Sequence, residues 1–174
     1  MTDALATIET ETEIVPADNQ TLSTHPGGNL EDFVTFFIGS QMFGIPVLRV
    51  QDILTPDQIA PIPLAPKEVV GSINLRGRIV TVIDVRTRLG LPPREKGKEG
   101  NTGNMGVTVE QDSDLYTLLV DKIGDVIGLS KEFYEKNPAT LDPKWREFSN
   151  GVYRLEDSLL VVLDIDNLLN LTAE

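Results

Sequence analysis

Chemistry in this chain rests on carboxylates and arginines. There is one histidine, His25, and no cysteine. Thiolate metal sites and disulfides are therefore excluded, and histidine-based acid–base or nucleophile-activating catalysis nearly so. The residue best placed to act on something else is Arg76. It stands in Gly71-Ser-Ile-Asn-Leu-Arg-Gly77, between two apolar runs that read as strands. Gly77 can take a positive φ at no steric cost, which suits a tight turn. Such a turn holds an arginine out where a partner can reach it. This is a binding device on a β scaffold and not a catalytic one.

Carboxylate pairs such as Asp121 and Asp125 are the alternative chemistry. They could serve in acid hydrolysis or hold Mg²⁺, which makes a carboxylate-based hydrolase the competing class. Both residues fall at strand ends, where solvation or capping accounts for them equally well. No cofactor motif is present. The glycines of Leu91 to Asn104 have no leading strand and no closing Gly-Lys-Ser/Thr, so they read as a loop over 91–104.

Charge separates the chain into two parts. Net charge is −12, and residues 1–32 hold seven acidic side chains with no lysine or arginine. The remainder carries 20 acidic against 15 basic residues and is only mildly acidic. A basic stretch runs from Arg76 to Lys98, but no aromatic residue interleaves it, which argues against nucleic-acid binding. No apolar run approaches the ~20 residues of a membrane span, so direct membrane insertion is not expected. The first residues lack a basic and then apolar leader, which makes the cytoplasm the default compartment.

The elements that must position Arg76 are mainly strands. Residues 1–30 are polar and aperiodic and are expected to be a disordered acidic tail. The folded part spans 31–174, with strands mainly within 33–83 and 105–163. Leu48 to Leu54 reads as a short helical turn stopped by Pro56. Asp84 is placed to cap a short helix.

The two halves repeat. At an offset of 80, Gly71 meets Gly151, and Val82-Ile-Asp-Val85 meets Val162-Leu-Asp-Ile165. At an offset of 73, Phe43 meets Tyr116, Val50 meets Ile123, and Asp52-Ile-Leu54 meets Asp125-Val-Ile127. Each half reads hairpin, connection, hairpin, capped helix. The expectation is a mainly β fold of two similar five-stranded barrels, one per half. A core of ~70 residues is marginal alone, so the barrels should share a hydrophobic interface. Asp84 and Asp164 occupy equivalent places, which favours capping over catalysis for both. Gly71 and Gly77 read as structural. Turn chemistry differs where the framework does not, since Arg76 meets Glu156 and Asn74 meets Arg154.

Leu48-Arg-Val-Gln-Asp-Ile53, Gly71-Ser-Ile-Asn-Leu-Arg-Gly77, Thr81-Val-Ile-Asp-Val-Arg86 and Val120-Asp-Lys-Ile-Gly-Asp-Val126 resemble the CheW family of chemotaxis coupling proteins. The resemblance covers about Phe33 to Leu171. It implies two SH3-like β-barrels and a non-enzymatic adaptor without a cofactor. Such an adaptor joins the cytoplasmic tips of methyl-accepting chemoreceptors to the regulatory domain of the histidine kinase CheA. It would be cytoplasmic and recruited to membrane-associated receptor arrays. By the same resemblance, Arg76 and Asp52 are the coupling residues, with Asn74 in the same turn. This chain has Asp52 where many members have glutamate, one methylene shorter. The receptor groove would lie between the barrels, with Val50, Ile53 and Met105 as candidates by position. An array controlling twitching motility or development fits the same residues.

Overall fold

The computed structural model describes residues 29–92 and 105–171. Residues 1–28 of the expected tail and most of the 91–104 loop lie outside those residues, while Leu30, the last residue of the expected tail, starts a strand. The strands are β1 (Leu30–Ile38), β2 (Gln41–Pro46), β3 (Val50–Leu54), β4 (Val69–Leu75) and β5 (Arg78–Asp84) in the first half. In the second half they are β6 (Met105–Gln111), β7 (Asp114–Val120), β8 (Lys122–Ser130), β9 (Tyr134–Glu135), β10 (Ser149–Arg154) and β11 (Leu159–Leu163). Three short helices follow strands or punctuate loops: α1 (Val85–Arg88), α2 (Pro143–Arg146) and α3 (Ile165–Leu169). The first described strand, β1, starts three residues ahead of Phe33. Only Val47–Arg49 form a helical turn, of 3₁₀ type; the rest of the expected 48–54 turn is strand β3. Val50, Asp52 and Leu54 are half-buried there and Gln51 and Ile53 exposed, the period-2 pattern of a strand.

The strands form two sheets. The first barrel has the order β8-β1-β2-β11-β10-β9 and the second β3-β6-β7-β5-β4. The halves do not each close on themselves. Each barrel takes the first hairpin of one half and the remaining strands of the other. The joins are β11 parallel to β2 and β5 parallel to β7. The chain crosses between barrels at two places, from β2 to β3 and from β7 to β8. The first barrel also gains a sixth strand, the two-residue β9.

The repeat nonetheless predicts the local geometry. Both β4 and β10 carry a bulge beside β5 and β11, at Gly71 and Gly151. A Cβ at Gly71 would run into the Ala60 carbonyl oxygen, and one at Gly151 into the Tyr134 ring. Asp84 accepts from the Arg86 N–H at 3.0 Å and Asp164 from the Asn167 N–H at 3.1 Å, so each caps its helix. The backbone N–H groups of these two aspartates donate to Glu68 and Phe148, themselves 80 residues apart, both at 2.8 Å.

Three apolar clusters account for the packing. Phe33, Leu129, Tyr153, Leu160 and Val162 fill the first barrel. Ile73, Val80, Val82 and Leu119 fill the second. The largest lies between them, with Phe36, Phe43, Ile83, Leu118, Val161 and Leu168 among its fully buried members. Trp145 meets Phe43 edge-on there, rings 5.8 Å apart. Strands such as β5 are apolar on both faces because one face lines a barrel and the other lines this shared layer.

Candidate functional site

The turn at Arg76 is a two-residue hairpin loop. Leu75 pairs with Arg78, and Arg76 and Gly77 have φ of 53° and 85°. Positive φ at both central residues defines a type I′ turn, whose twist matches the flanking strands. Glycine takes this conformation freely, but arginine does so at a cost. Asn74 offsets part of it. Its Oδ1 accepts the Gly77 N–H at 2.9 Å, an Asx-type bond that closes the turn from within. Arg78 adds a tie to the neighbouring hairpin tip, donating to the Ser113 carbonyl at 3.2 Å.

This turn reaches across the seam of the second barrel. β3 and β4 are the two edges of its sheet, and curling brings them together. Arg76 Nη2 lies 3.0 Å from Asp52 Oδ2. The shorter aspartate therefore still meets the arginine. The other oxygen, Oδ1, accepts the Ile53 N–H at 2.9 Å, which fixes the carboxylate. The pair is lopsided in exposure: the Asp52 side chain is 23 % exposed and Arg76 81 %. A guanidinium so exposed has most of its donors free of the protein. Beside the pair is a shallow cleft of about 200 Å³, lined in part by Leu54, Pro56, Ile73 and Leu75.

Of the groove candidates, Val50 and Met105 both pack against the central core and Ile53 does not. Val50 lies opposite Val109, half-buried against the central core. Met105 falls beyond the Leu54–Gly106 pair at the far end of the ribbon, where its sulfur accepts from Thr55 Oγ1 at 3.3 Å. Ile53 is on the other face of β3 and exposed. The three thus lie along the β3–β6 ribbon.

The two carboxylates weighed for catalysis differ in setting. Asp121 Oδ2 is 2.5 Å from Arg86 Nη1 and accepts the Gly39 N–H at 2.6 Å. Asp125 is exposed, and its backbone carbonyl accepts from Thr35 Oγ1 at 2.6 Å. Among the described residues no group of three or more His, Cys, Asp or Glu side chains could hold a metal. No helix there is long and apolar enough to cross a membrane.

Sequence reasoning passed over the arginines outside the turn. Arg49 pairs with Asp166 at 2.9 Å, and Arg88 donates to the carbonyls of Leu168 and Asn170, each at 2.9 Å.

The family model of the CheW-like domain matches residues 32–173. A chemotaxis protein CheW from Treponema pallidum is 36% identical over 137 residues, covering 78% of this chain and 79% of that protein. Its namesake from Klebsiella aerogenes is 28% identical over 140 residues, covering 80% and 82%. The crystal structure of a CheW scaffolding protein from Thermoanaerobacter tengcongensis superposes with a TM-score of 0.71 at 26% identity. It covers 83% of this chain and 95% of that one. With the matched region taking in both barrels and the Arg76 turn, this chain belongs to the CheW-like family of chemotaxis scaffold proteins.

Proposed function

We propose that this chain is a non-enzymatic adaptor that couples chemoreceptor tips to a CheA-type histidine kinase in membrane-associated arrays. The observation that carries the reading is the Arg76–Asp52 pair. A buried carboxylate would serve the fold alone. Here a fixed, mostly covered carboxylate holds an exposed arginine on a rigid turn, which leaves the cation available to a second protein. Arg76, Asp52 and Asn74 act as one coupling unit: the arginine makes contact, the aspartate orients it and the asparagine holds the turn.

Two separate surfaces serve the two partners. The kinase regulatory domain packs on a barrel end, and the receptor tip lies along the ribbon carrying Val50, Ile53 and Met105. Each contact is of ordinary or smaller size, below the ~1,600 Å² of a standard interface. The test is a binding competition using purified kinase regulatory domain, a receptor cytoplasmic fragment and this protein. A ternary complex is expected. Full displacement of receptor by saturating kinase domain would refute the two-surface arrangement, and failure to bind either partner would refute the adaptor.

A further inference from the structure

The two places where the chain passes between barrels are built alike. Arg49 ends the turn that leads from β2 into β3, and it pairs with Asp166 of α3. Asp121 links β7 to β8, and it pairs with Arg86 of α1. Arg86 and Asp166 are equivalent in the repeat, whereas Arg49 and Asp121 are one position out of register, since Arg49 matches Lys122; the two ties therefore join corresponding helices to corresponding crossovers with their charges reversed. What is repeated is the tie, not the residue type.

The helices that receive these ties are themselves joined. Arg88 of α1 donates to the Leu168, Asn167 and Asn170 carbonyls at the end of α3, at 2.9, 3.2 and 2.9 Å. Its guanidinium lies over the Phe148 ring, 4.9 Å from the centroid. Val85, Leu89, Ile165 and Leu168 all enter the central core. α1 and α3 therefore form one hub, and each crossover is fastened to it.

The ties differ in strength. In Arg86–Asp121 the side chains are 17 % and 19 % exposed, and Asp121 also holds the β1–β2 turn through Gly39. In Arg49–Asp166 they are 38 % and 66 % exposed. Charges in water are weakly coupled and screened by salt, whereas covered ones are much less so. We infer that these ion pairs latch the two barrels to the α1–α3 hub, and that the exposed Arg49–Asp166 latch is the one that opens and lets the barrels change their angle. Arg49 immediately precedes Val50, so opening it releases the start of β3, the strand that carries Asp52.

The absence of cysteine makes the test direct. Asp114→Cys and Asp157→Cys place one spin label on an exposed hairpin tip of each barrel in the full chain. Pulsed electron resonance then gives the distance distribution between barrels. Asp166→Arg and Arg49→Asp should each broaden it, and the two together should restore the narrow form. Raising salt from about 0.1 M to about 1 M shortens the Debye length from ~10 Å to ~3 Å. That change should broaden the parent distribution and leave Asp166→Asn unmoved. An unchanged distribution in Asp166→Arg, or a double variant as broad as the single ones, would overturn the latch. The measurement uses the free protein, so such a failure leaves the coupling reading untouched.

Discussion

The seams of the two barrels occupy equivalent places and are finished differently. In the second barrel, Ala60 and Ser72 exchange backbone hydrogen bonds of 2.9 and 2.8 Å along β4. In the first, Glu135 of β9 stands against Val152 of β10, the residue equivalent to Ser72. So far the seams match. They diverge at the hairpin tip. Arg76 crosses to Asp52 in the second barrel, whereas the equivalent positions in the first, Glu156 and Asp125, are both acidic. Like charges cannot bridge, and a wider cleft of about 400 Å³ stands there, lined in part by Phe37, Met42, Ile127 and Leu155. The tips differ in backbone as well, since Arg76 and Gly77 have positive φ and their equivalents Glu156 and Asp157 do not. On the function proposed above, the second barrel is the one that carries the coupling turn.

The comparison can be broken most forcefully at the turn. Arg76→Glu puts a glutamate opposite Asp52, as Glu156 stands to Asp125. Losing a desolvated charge contact at an interface costs about 2–5 kcal/mol, and the new repulsion adds to it. Receptor-dependent kinase activation in a reconstituted array should fall at least ~10-fold, since ~1.4 kcal/mol is tenfold. The melting curve should barely move, because an exposed pair contributes about 0–1 kcal/mol. Normal activation, or a large loss of melting temperature, would mean that the turn is ordinary scaffold.

Next in size are the equivalent glycines. Gly71→Ala forces a methyl against the Ala60 backbone, which cannot move without breaking the seam. A loss of about 3 kcal/mol in denaturant unfolding is expected. Gly151→Ala meets the Tyr134 side chain on a two-residue edge strand. That ring can swing aside, so about 1 kcal/mol is expected. Equal losses would show that the two seams are equally stiff.

Asn74→Ala removes only the bond to the Gly77 N–H. It should cost about 1 kcal/mol of stability. It should weaken coupling less than Arg76→Glu, because the arginine remains but is held less firmly. Coupling unaffected by this change would remove Asn74 from the site. The smallest effect is expected from deleting residues 1–28, which leaves β1 and the Asn29 carbonyl bonded to Lys131 intact. So polar and acidic a segment has little apolar surface to repay its ordering entropy. Its removal should leave the melting temperature within error.

By itself the sequence determined what is local. Alternation located most strands, Gly77 announced the tight turn, and Asp84 and Asp164 announced their caps, because each depends on residues within a few positions. The repeat announced two matching barrels and a shared core. Tertiary structure alone decided which strands pair. β3 and β8 are equivalent, as are β1 and β6, and backbone hydrogen bonds are indifferent to which half supplies the partner. A repeat therefore cannot tell a half that closes on itself from halves that exchange strands. Either way of closing leaves β3 and β4 as the two edges of one sheet, because the exchanged hairpins β1–β2 and β6–β7 are equivalent. Curling of that sheet brings Asp52 to Arg76 across 23 intervening residues, and packing ties each crossover to a helix, Arg49 to α3 and Asp121 to α1. Those contacts depend on how the sheets curl and pack, which no local pattern encodes.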